Sequence, residues 1–75
     1  MFGVSREQVQ SIKERYKVGT RIKLNYMNDS QAVPSGTVGT VAHVDDMGTI
    51  HMKWDNGRSL GLVVGEDSFM VINEG

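Results

Sequence analysis

The stretch that decides the fold of this chain reads GTVGTVAHVDDMGTIHMKWDNG, residues 36–57. Valines, together with Ile50 and Trp54, supply the β-branched and aromatic side chains that are typical of strands. The segments 45–48 and 55–57 supply Asp, Asn and Gly, which suit tight turns with a positive φ. The stretch therefore predicts two short strands that end in tight turns, a pattern typical of a small antiparallel barrel.

Alternating apolar residues predict how the third and fourth strands pair. A two-residue Asn-Gly turn between them would point Leu60 away from the core. A three-residue turn, with Gly57 in the left-handed bulge position, pairs Met52 with Leu60 instead. The same register pairs Ile50 with Leu62. We therefore predict the three-residue turn.

The second strand is predicted at residues 37–44 and carries an irregular apolar spacing. Val41 and Val44 are three residues apart, and such residues cannot share one face of a regular strand. A bulge at residues 42–43 brings both valines to the core and bends the strand, which helps a small sheet to close. We predict that bulge.

The first strand is predicted at residues 20–27, upstream of a long loop. Ile22, Leu24 and Tyr26 alternate with polar residues and are expected to face the core. The loop at residues 28–35 is polar and contains the single proline of the chain.

A helix is predicted from about Ser5 to Tyr16. Ser5 and Gln8 have the spacing of a capping box, and Val9, Ile12 and Tyr16 form one narrow apolar stripe. A helix this short needs a surface to lie on. Two alternatives stay open: the stripe packs on an open end of the chain's own barrel, or it forms a dimer by packing on a second subunit.

Composition limits the class of protein. Seventy-five residues suit one small domain, with the helix at about 5–16 and the barrel at about 18–73. The sequence has no cysteine, so disulfides and thiolate metal sites are excluded. No apolar run approaches the length of a membrane span, and we expect a cytoplasmic protein without a membrane partner. The net charge of −1 gives no general attraction to nucleic acid.

One helix followed by five short strands predicts a mainly β fold, a small five-stranded SH3-like barrel with one N-terminal α-helix. Four motifs also carry a resemblance to a known family. They are VGT at 18–20, GTVxxVDD at 39–46, GTIHMKWDNG at 48–57 and LGL at 60–62. On these motifs the chain resembles, from about Tyr16 to Ile72, the bacterial family named domain of unknown function 4314.

The family resemblance implies little about activity. Members of the family are small proteins often encoded by phages, plasmids and integrative elements, so the resemblance implies a link to mobile elements. No activity is established for the family, and no functional residues carry over to this chain. The helix before Tyr16 is expected to lie outside the family pattern.

Two histidines and a carboxylate form a candidate metal site. A three-residue turn at 46–48 makes His43 and His51 face each other, with Asp45 on the same face. These ligand types suit zinc or nickel. The predicted bulge at residues 42–43 is expected to disturb the pairing, and no fourth ligand is near in sequence. We therefore favour polar side chains on a solvent face and expect no metal or cofactor.

Carboxylates at the predicted turns are the candidates for acid/base chemistry. They are Asp45, Asp46, Glu66 and Asp67. Catalysis of this kind needs burial or crowding of like charges to shift pKa values, and residues on exposed turns have neither. We expect no catalytic residues and no enzyme activity.

Basic residues concentrate in the first third of the chain. The candidate phosphate contacts are Lys13, Arg15, Lys17, Arg21 and Lys23, with Tyr16 and Tyr26 as stacking residues. In an antiparallel meander the acidic turns lie at the same end as the helix terminus and residues 17–21. We expect the two groups to neutralise each other in part, which makes a nucleic-acid-binding accessory protein the second hypothesis.

The opposite end of the predicted barrel carries less charge. It is formed by the loop at 28–35 and the turn at 54–58, where we expect Trp54 to expose one edge of its ring. The expected partner-binding residues are Asn28, Asp29, Trp54, Asp55, Asn56 and Arg58. The leading hypothesis is a non-enzymatic adaptor or accessory module that binds a protein partner. A weak metal-binding protein is the third.

Overall fold

The computed structural model describes residues 5–27 and 32–72 of the chain. These residues form one helix and one antiparallel sheet, with strand order β4-β3-β2-β1-β5. The elements are α1 (Arg6–Arg15), β1 (Arg21–Tyr26), β2 (Val38–Val44), β3 (Thr49–Trp54), β4 (Leu62–Val63) and β5 (Ser68–Val71). The predicted mainly β fold with one N-terminal helix is confirmed. Strands β4 and β5 are the two edges of the sheet.

Helix α1 begins at the predicted cap. The Ser5 hydroxyl accepts the Gln8 N–H at 3.2 Å, and the Ser5 N–H donates to the Gln8 side chain at 2.8 Å. This reciprocal pair satisfies N–H groups that the first turn of a helix leaves without partners. Within residues 5–27 and 32–72, no helix combines the length and the apolarity that crossing a membrane requires.

The apolar stripe of α1 packs on the chain's own sheet. Val9 and Ile12 are buried, and Ile12 belongs to the same core cluster as the inward side chains of the strands. Tyr16 is half-buried, with its ring edge-on to Phe69 at a centroid distance of 5.5 Å. Of the two alternatives for the stripe, packing within the chain is the one observed.

The buried ring of Trp54 belongs to the core and lies against Gly39 in the neighbouring strand. The two residues are cross-strand partners in the β2–β3 ladder. A Cβ atom added to Gly39 would lie 2.7 Å from Trp54 Cε3 and 3.0 Å from the Lys53 carbonyl oxygen. Only glycine therefore allows β2 to approach the tryptophan this closely.

The predicted bulge in β2 is confirmed. Val41 pairs with Met52, and the next pair is His43 with His51, so Ala42 is the extra residue. The bulge shifts the alternation of inward and outward side chains along β2 by one position. It thereby lets Val44, three residues after Val41, also pack against the core.

The turn between β3 and β4 has the predicted three-residue form. The Trp54 N–H donates to the Arg58 carbonyl oxygen at 2.9 Å, and Gly57 has a φ of 90°. Ile50 pairs with Leu62 in the predicted register. The ladder is formed only at Leu62–Val63, so the predicted pairing of residue 52 with residue 60 is not part of it.

The expectation that Tyr26 faces the core is wrong. The ladder between β1 and β5 shifts register between Leu24 and Tyr26, which leaves Asn25 as an extra residue. The shift turns Tyr26, 60% exposed, to the outer face, and Met27 takes the buried position.

The loop after β1 is less polar than predicted. Val33 is buried and belongs to the core cluster, and Ala32 packs against that cluster. The Gly36 N–H donates to the Leu24 carbonyl oxygen at 2.7 Å and ties the end of the loop to β1. Ala32 and Val33 therefore contribute to the folded core, while residues 34–36 of the loop are exposed.

We predict that Ile12→Ala destabilises the protein by about 2 kcal/mol, since it removes a buried side chain between the helix and the sheet. Urea denaturation followed by circular dichroism measures the change. Ser11→Ala is the matched control, because Ser11 is exposed on the same helix. Equal stability of the two variants would contradict the packing of α1 on its own sheet.

We predict that Gly39→Ala destabilises the protein by about 1–3 kcal/mol, because the added methyl group meets the Trp54 ring and strand backbone. Chemical denaturation monitored by the fluorescence of the single tryptophan gives the difference. Ser59→Ala, at an exposed position, is expected to stay within about 0.5 kcal/mol of the parent protein. An unchanged midpoint for Gly39→Ala would show that β2 does not approach the ring this closely.

Candidate functional site

The three candidate metal ligands lie together at the end of the β2–β3 hairpin. His43 and His51 are cross-strand partners, and their rings stack with centroids 4.3 Å apart and planes at 10°. The Asp45 Oδ2 atom lies 2.8 Å from His51 Nε2. The expectation that the bulge disturbs this pairing is wrong. The extra residue, Ala42, precedes His43 and lies farther from the turn.

The turn that connects β2 to β3 fixes the position of Asp45. The Asp45 N–H donates to the Thr49 carbonyl oxygen at 3.0 Å, and Gly48 in the turn has a φ of 85°. Asp45 Oδ1 accepts the N–H groups of Met47 and Thr49, both at 2.9 Å. The hydrogen bond to His51, followed by those backbone N–H groups, lowers the pKa of Asp45. The Asp45 carboxylate therefore stabilises the β2–β3 turn.

The geometry of the two imidazoles opposes a shared metal ion. The lone pair of an imidazole nitrogen lies in the plane of its ring, and a zinc ion binds about 2.0–2.1 Å from that nitrogen. Planes that are 10° from parallel, with centroids 4.3 Å apart, do not meet near both rings. In the part of the chain that the structure describes, no group of three His, Cys, Asp or Glu residues is arranged to hold a metal ion.

The other carboxylates proposed for acid/base chemistry also serve local structure. Asp46 contacts the Lys13 ammonium at 3.2 Å, so the predicted meeting of this acidic turn with the helix is confirmed. Asp67 Oδ2 accepts the Val63 N–H at 2.9 Å and closes the turn before β5. Glu66 is exposed in that turn. Asp46 and Asp67 thus each make a contact within the chain, as Asp45 does.

The basic candidates are distributed over several surfaces rather than one strip. On the helix, Lys13 contacts Asp46 of the β2–β3 turn, and the Arg15 guanidinium lies 5.8 Å from the centre of the Tyr16 ring. Lys17 and Lys23 are exposed, in the connection after α1 and on the outer face of β1 respectively.

Arg21 has a different partner from the one expected. Its guanidinium donates to both oxygens of Asp55, at 2.9 and 2.7 Å, and also to the Thr40 hydroxyl at 2.8 Å. The expectation that residues 17–21 meet the acidic β2–β3 turn is therefore wrong for Arg21. The hydrogen bonds from Arg21 lower the pKa of Asp55. This two-point contact ties β1 to the turn between β3 and β4.

The expectation that Trp54 exposes one edge of its ring is also wrong. The side chain is only 3% exposed, and its Nε1–H donates to the Leu60 carbonyl oxygen at 2.8 Å. The ring lies inward because Gly39 leaves room for it, and Leu60 satisfies its polar atom. Trp54 is therefore a core residue and presents no surface to a partner.

Three of the remaining partner-binding candidates, Asp55, Asn56 and Arg58, lie in or next to the same turn. Asp55 is bonded to Arg21, and the Asn56 side chain accepts the Arg58 N–H at 3.0 Å. Asn28 and Asp29 lie outside the described residues. The turn residues thus make local contacts, and nothing apolar is exposed among them.

Three exposed apolar side chains lie along the edge of the sheet formed by β5, while Val63 and Val64 are exposed at and beside the other edge, β4. We name Tyr26 and Ser68–Val71 the β5 edge. Met70 is 50% exposed, Val71 47% and Tyr26 60%. Tyr26 pairs with Ser68, two residues from Met70, so Tyr26 and Met70 are diagonal neighbours on the outer face. Sequence reasoning missed this surface.

The backbone of β5 offers unpaired groups along the same edge. The Ile72 N–H donates to the Arg21 carbonyl oxygen at 3.0 Å. Because hydrogen-bonded and non-hydrogen-bonded pairs alternate in an antiparallel ladder, Met70 turns its N–H and C=O toward β1. Phe69 and Val71 turn theirs away from β1. Among the described strands, none pairs with that side of β5.

Two of the shallow grooves beside the helix are lined by candidate site residues. One, of about 460 Å³, is lined by Arg6, Val9, Gln10, Lys13 and Asp46. Another, of about 270 Å³, runs between the end of the helix and β2 and includes His43 and Lys17 in its lining. Both are open, and neither brings together a nucleophile and a base.

The family model described as "Domain of unknown function (DUF4314)" matches residues 5–72. The chain belongs to this family. The match begins at the cap of α1, so the expectation that the helix lies outside the family pattern is wrong. No curated protein and no solved structure matches the chain.

We predict that Asp45 stabilises the fold less as the pH falls. The folded-state pKa of Asp45 is lowered from its ordinary value of 3.8, so its contribution is complete above that value and is lost as the pH falls through the lowered pKa. Denaturation of the parent protein and of Asp45→Asn between pH 6 and pH 2 measures the effect. The advantage of the parent over the variant is expected to shrink at the acid end.

Asp46→Asn is the control for this experiment. Its carboxylate is fully exposed and contacts only Lys13 among the described residues, so the difference from the parent is expected to be smaller. An advantage of Asp45 that is the same at both ends of the pH range would contradict the role of its charge.

Proposed function

We propose that this chain is a non-enzymatic accessory module that acts through a protein partner, and that the partner binds the β5 edge. One observation carries the proposal. The unpaired backbone groups of Phe69 and Val71 lie beside the exposed apolar side chains of Met70 and Tyr26. The β5 edge therefore has both components that recognition by strand addition uses.

Strand addition gains its affinity from main-chain hydrogen bonds and its specificity from side chains on alternate positions. An added strand would satisfy the outward N–H and C=O groups of Phe69 and Val71. It would also cover parts of Met70 and Val71 that are now in solvent. Proteins commonly protect an edge strand with charges, proline or a bulge, and Ser68–Val71 contains no charged residue and no proline.

Ion pairs made by two basic residues weaken the case for a phosphate-binding surface and so favour the β5 edge. Lys13 and Arg21, two of the basic candidates, contact Asp46 and Asp55. Exposed ion pairs contribute little and are weakened by salt, but each reduces the positive potential that would attract phosphates.

A nucleic-acid-binding role is the second candidate, and one observation favours it. Lys23 and Lys53 are exposed on the outer face of the sheet, which also carries Tyr26. Lysines that contact phosphates beside an aromatic ring are typical of surfaces that bind single strands. It ranks second because Arg21, the basic neighbour of Lys23 on the same face of β1, is bonded to Asp55.

The proposal includes a cytoplasmic location and a link to mobile genetic elements. Both rest on the sequence, the first on its lack of a long apolar run and the second on the family resemblance. The weak metal-binding role is not proposed, because the stacked histidines do not converge on one ion.

We predict that Met70→Lys reduces capture of the protein partner at least tenfold, since a charge on an edge strand opposes strand addition. The parent chain and the variant are immobilised at equal density and exposed to soluble extract of the source organism. Mass spectrometry then identifies and quantifies the retained proteins. Met47→Lys is the matched control, because Met47 is 78% exposed on the β2–β3 turn, away from β5.

Equal capture by the parent chain and Met70→Lys would refute the β5 edge as the binding surface. Retention of nucleic acid that is lost in a Lys23→Glu, Lys53→Glu double variant, but kept by Met70→Lys, would select the second candidate. Such binding is also expected to weaken steeply with salt.

A further inference from the structure

We infer that the β5 edge is occupied by a second copy of this chain, with the two β5 strands paired antiparallel about a two-fold axis at Met70. This inference rests on the proposed function, because it names the partner for the same edge. The sheets of the two copies then join into one continuous sheet. Three features of β5 carry the inference: its backbone alternation, its lack of charge and its half-covered side chains.

The backbone alternation selects the axis. A two-fold axis at Met70 sets Phe69 of one copy opposite Val71 of the other, on both sides of the axis. Both residues turn their N–H and C=O groups away from β1, so each of these pairs is a hydrogen-bonded pair. The two Met70 residues then form the non-hydrogen-bonded pair between them.

Other registers place fewer hydrogen-bonded pairs within Ser68–Val71. A shift of the pairing by one residue sets outward groups of one copy against inward groups of the other. An axis at Phe69 makes Asp67 the partner of Val71, and Asp67 lies in the turn before β5, where its side chain bonds the Val63 N–H. An axis at Val71 requires pairs beyond the end of the strand. The axis at Met70 alone keeps both hydrogen-bonded pairs within Ser68–Val71.

The lack of charge suits a second copy in particular. In a symmetric pair the residue at the axis faces its own copy, so a charge at position 70 would face a like charge and weaken the pairing. The strand Ser68–Val71 and the following Ile72 contain no charged residue. Met70, at the axis, meets a flexible apolar side chain identical to itself. A partner strand of different sequence could carry charges opposite to those of β5, so it would not require β5 to be uncharged.

The side chains of the inner face fit the same arrangement. Val71 pairs with Ile22 and therefore points toward the core side of the sheet, yet it is 47% exposed because no strand lies beyond it. Pairing brings Phe69 of the second copy beside it. Phe69 packs against the core and contacts Tyr16, so the pairing extends the apolar core across the boundary.

The small size of the contact sets the expected affinity. Stable interfaces bury roughly 800 Å² on each partner, and a four-residue strand edge with two apolar side chains offers less. We therefore expect a dimer that dissociates on dilution through the micromolar range. Sedimentation velocity of the full chain over that range is expected to show a concentration-dependent average mass.

The decisive test is a disulfide at the axis. The chain has no cysteine, and a non-hydrogen-bonded pair sets the two Cα atoms about 4.5 Å apart, within the range of a disulfide. In a glutathione redox buffer, Met70→Cys is expected to form a covalent dimer in most of the chains, seen by non-reducing gel and light scattering. Met47→Cys, equally a cysteine in place of an exposed methionine, is expected to stay monomeric at the same concentration.

A register control and a backbone control complete the design. Ser68→Cys is expected to cross-link poorly, because the inferred register sets Ser68 opposite Ile72. Val71→Pro removes an N–H that points to the free edge and spares the bonds to β1, so it is expected to weaken the dimer at least tenfold. Heteronuclear NMR spectra confirm that each variant is folded.

Equal, low cross-linking of Met70→Cys and Met47→Cys, with a parent chain that stays monomeric, would overturn the inference. So would cross-linking that is stronger at Ser68→Cys than at Met70→Cys. If the chain is monomeric but still captures a different protein in a Met70-dependent way, the proposed function stands and only the second copy is excluded. If capture fails as well, both are excluded.

Discussion

The contact between the Trp54 ring and the backbone of Gly39 is the constraint on which the rest of the structure depends. It buries the largest side chain of the core, and it requires β2 to approach β3 more closely than any side chain larger than hydrogen allows. The same ring bonds the Leu60 carbonyl oxygen and so orders the segment that leads to β4. With β2 and β3 held in one register, the bulge at Ala42 follows, because Val44 then also packs against the core.

The polar side chains are largely used to hold elements together. Arg21 joins β1 to the β3–β4 turn through Asp55, and Lys13 joins the helix to the β2–β3 turn. Asp45 closes that second turn and binds His51. Each exposed pair contributes little to stability. Several candidates for catalysis, metal binding or phosphate binding are thus engaged in local structure, whereas Lys17 and Lys23 remain exposed.

An open sheet has two edges, and their difference directs the functional proposal. Strand β4 has two residues, of which Val63 is 38% exposed, whereas β5 has four, with unpaired backbone groups and the more exposed side chains of Met70 and Val71. Edges of this kind attract further strands unless they are protected. The register shift at Asn25 adds Tyr26 to the same surface. The fold therefore exposes, next to its core, one short strand that is suited to pairing with another chain.

Local features of this protein were determined by the sequence itself. The Ser5 cap, the positive φ of Gly57 and the bulge at Ala42 follow from the conformational preferences of a few neighbouring residues or from apolar spacing. The burial of Trp54 and the exposure of Tyr26 were decided only by the tertiary structure. Burial depends on which strand lies alongside, and one unpaired residue in a ladder reverses every later side chain without a signal in composition.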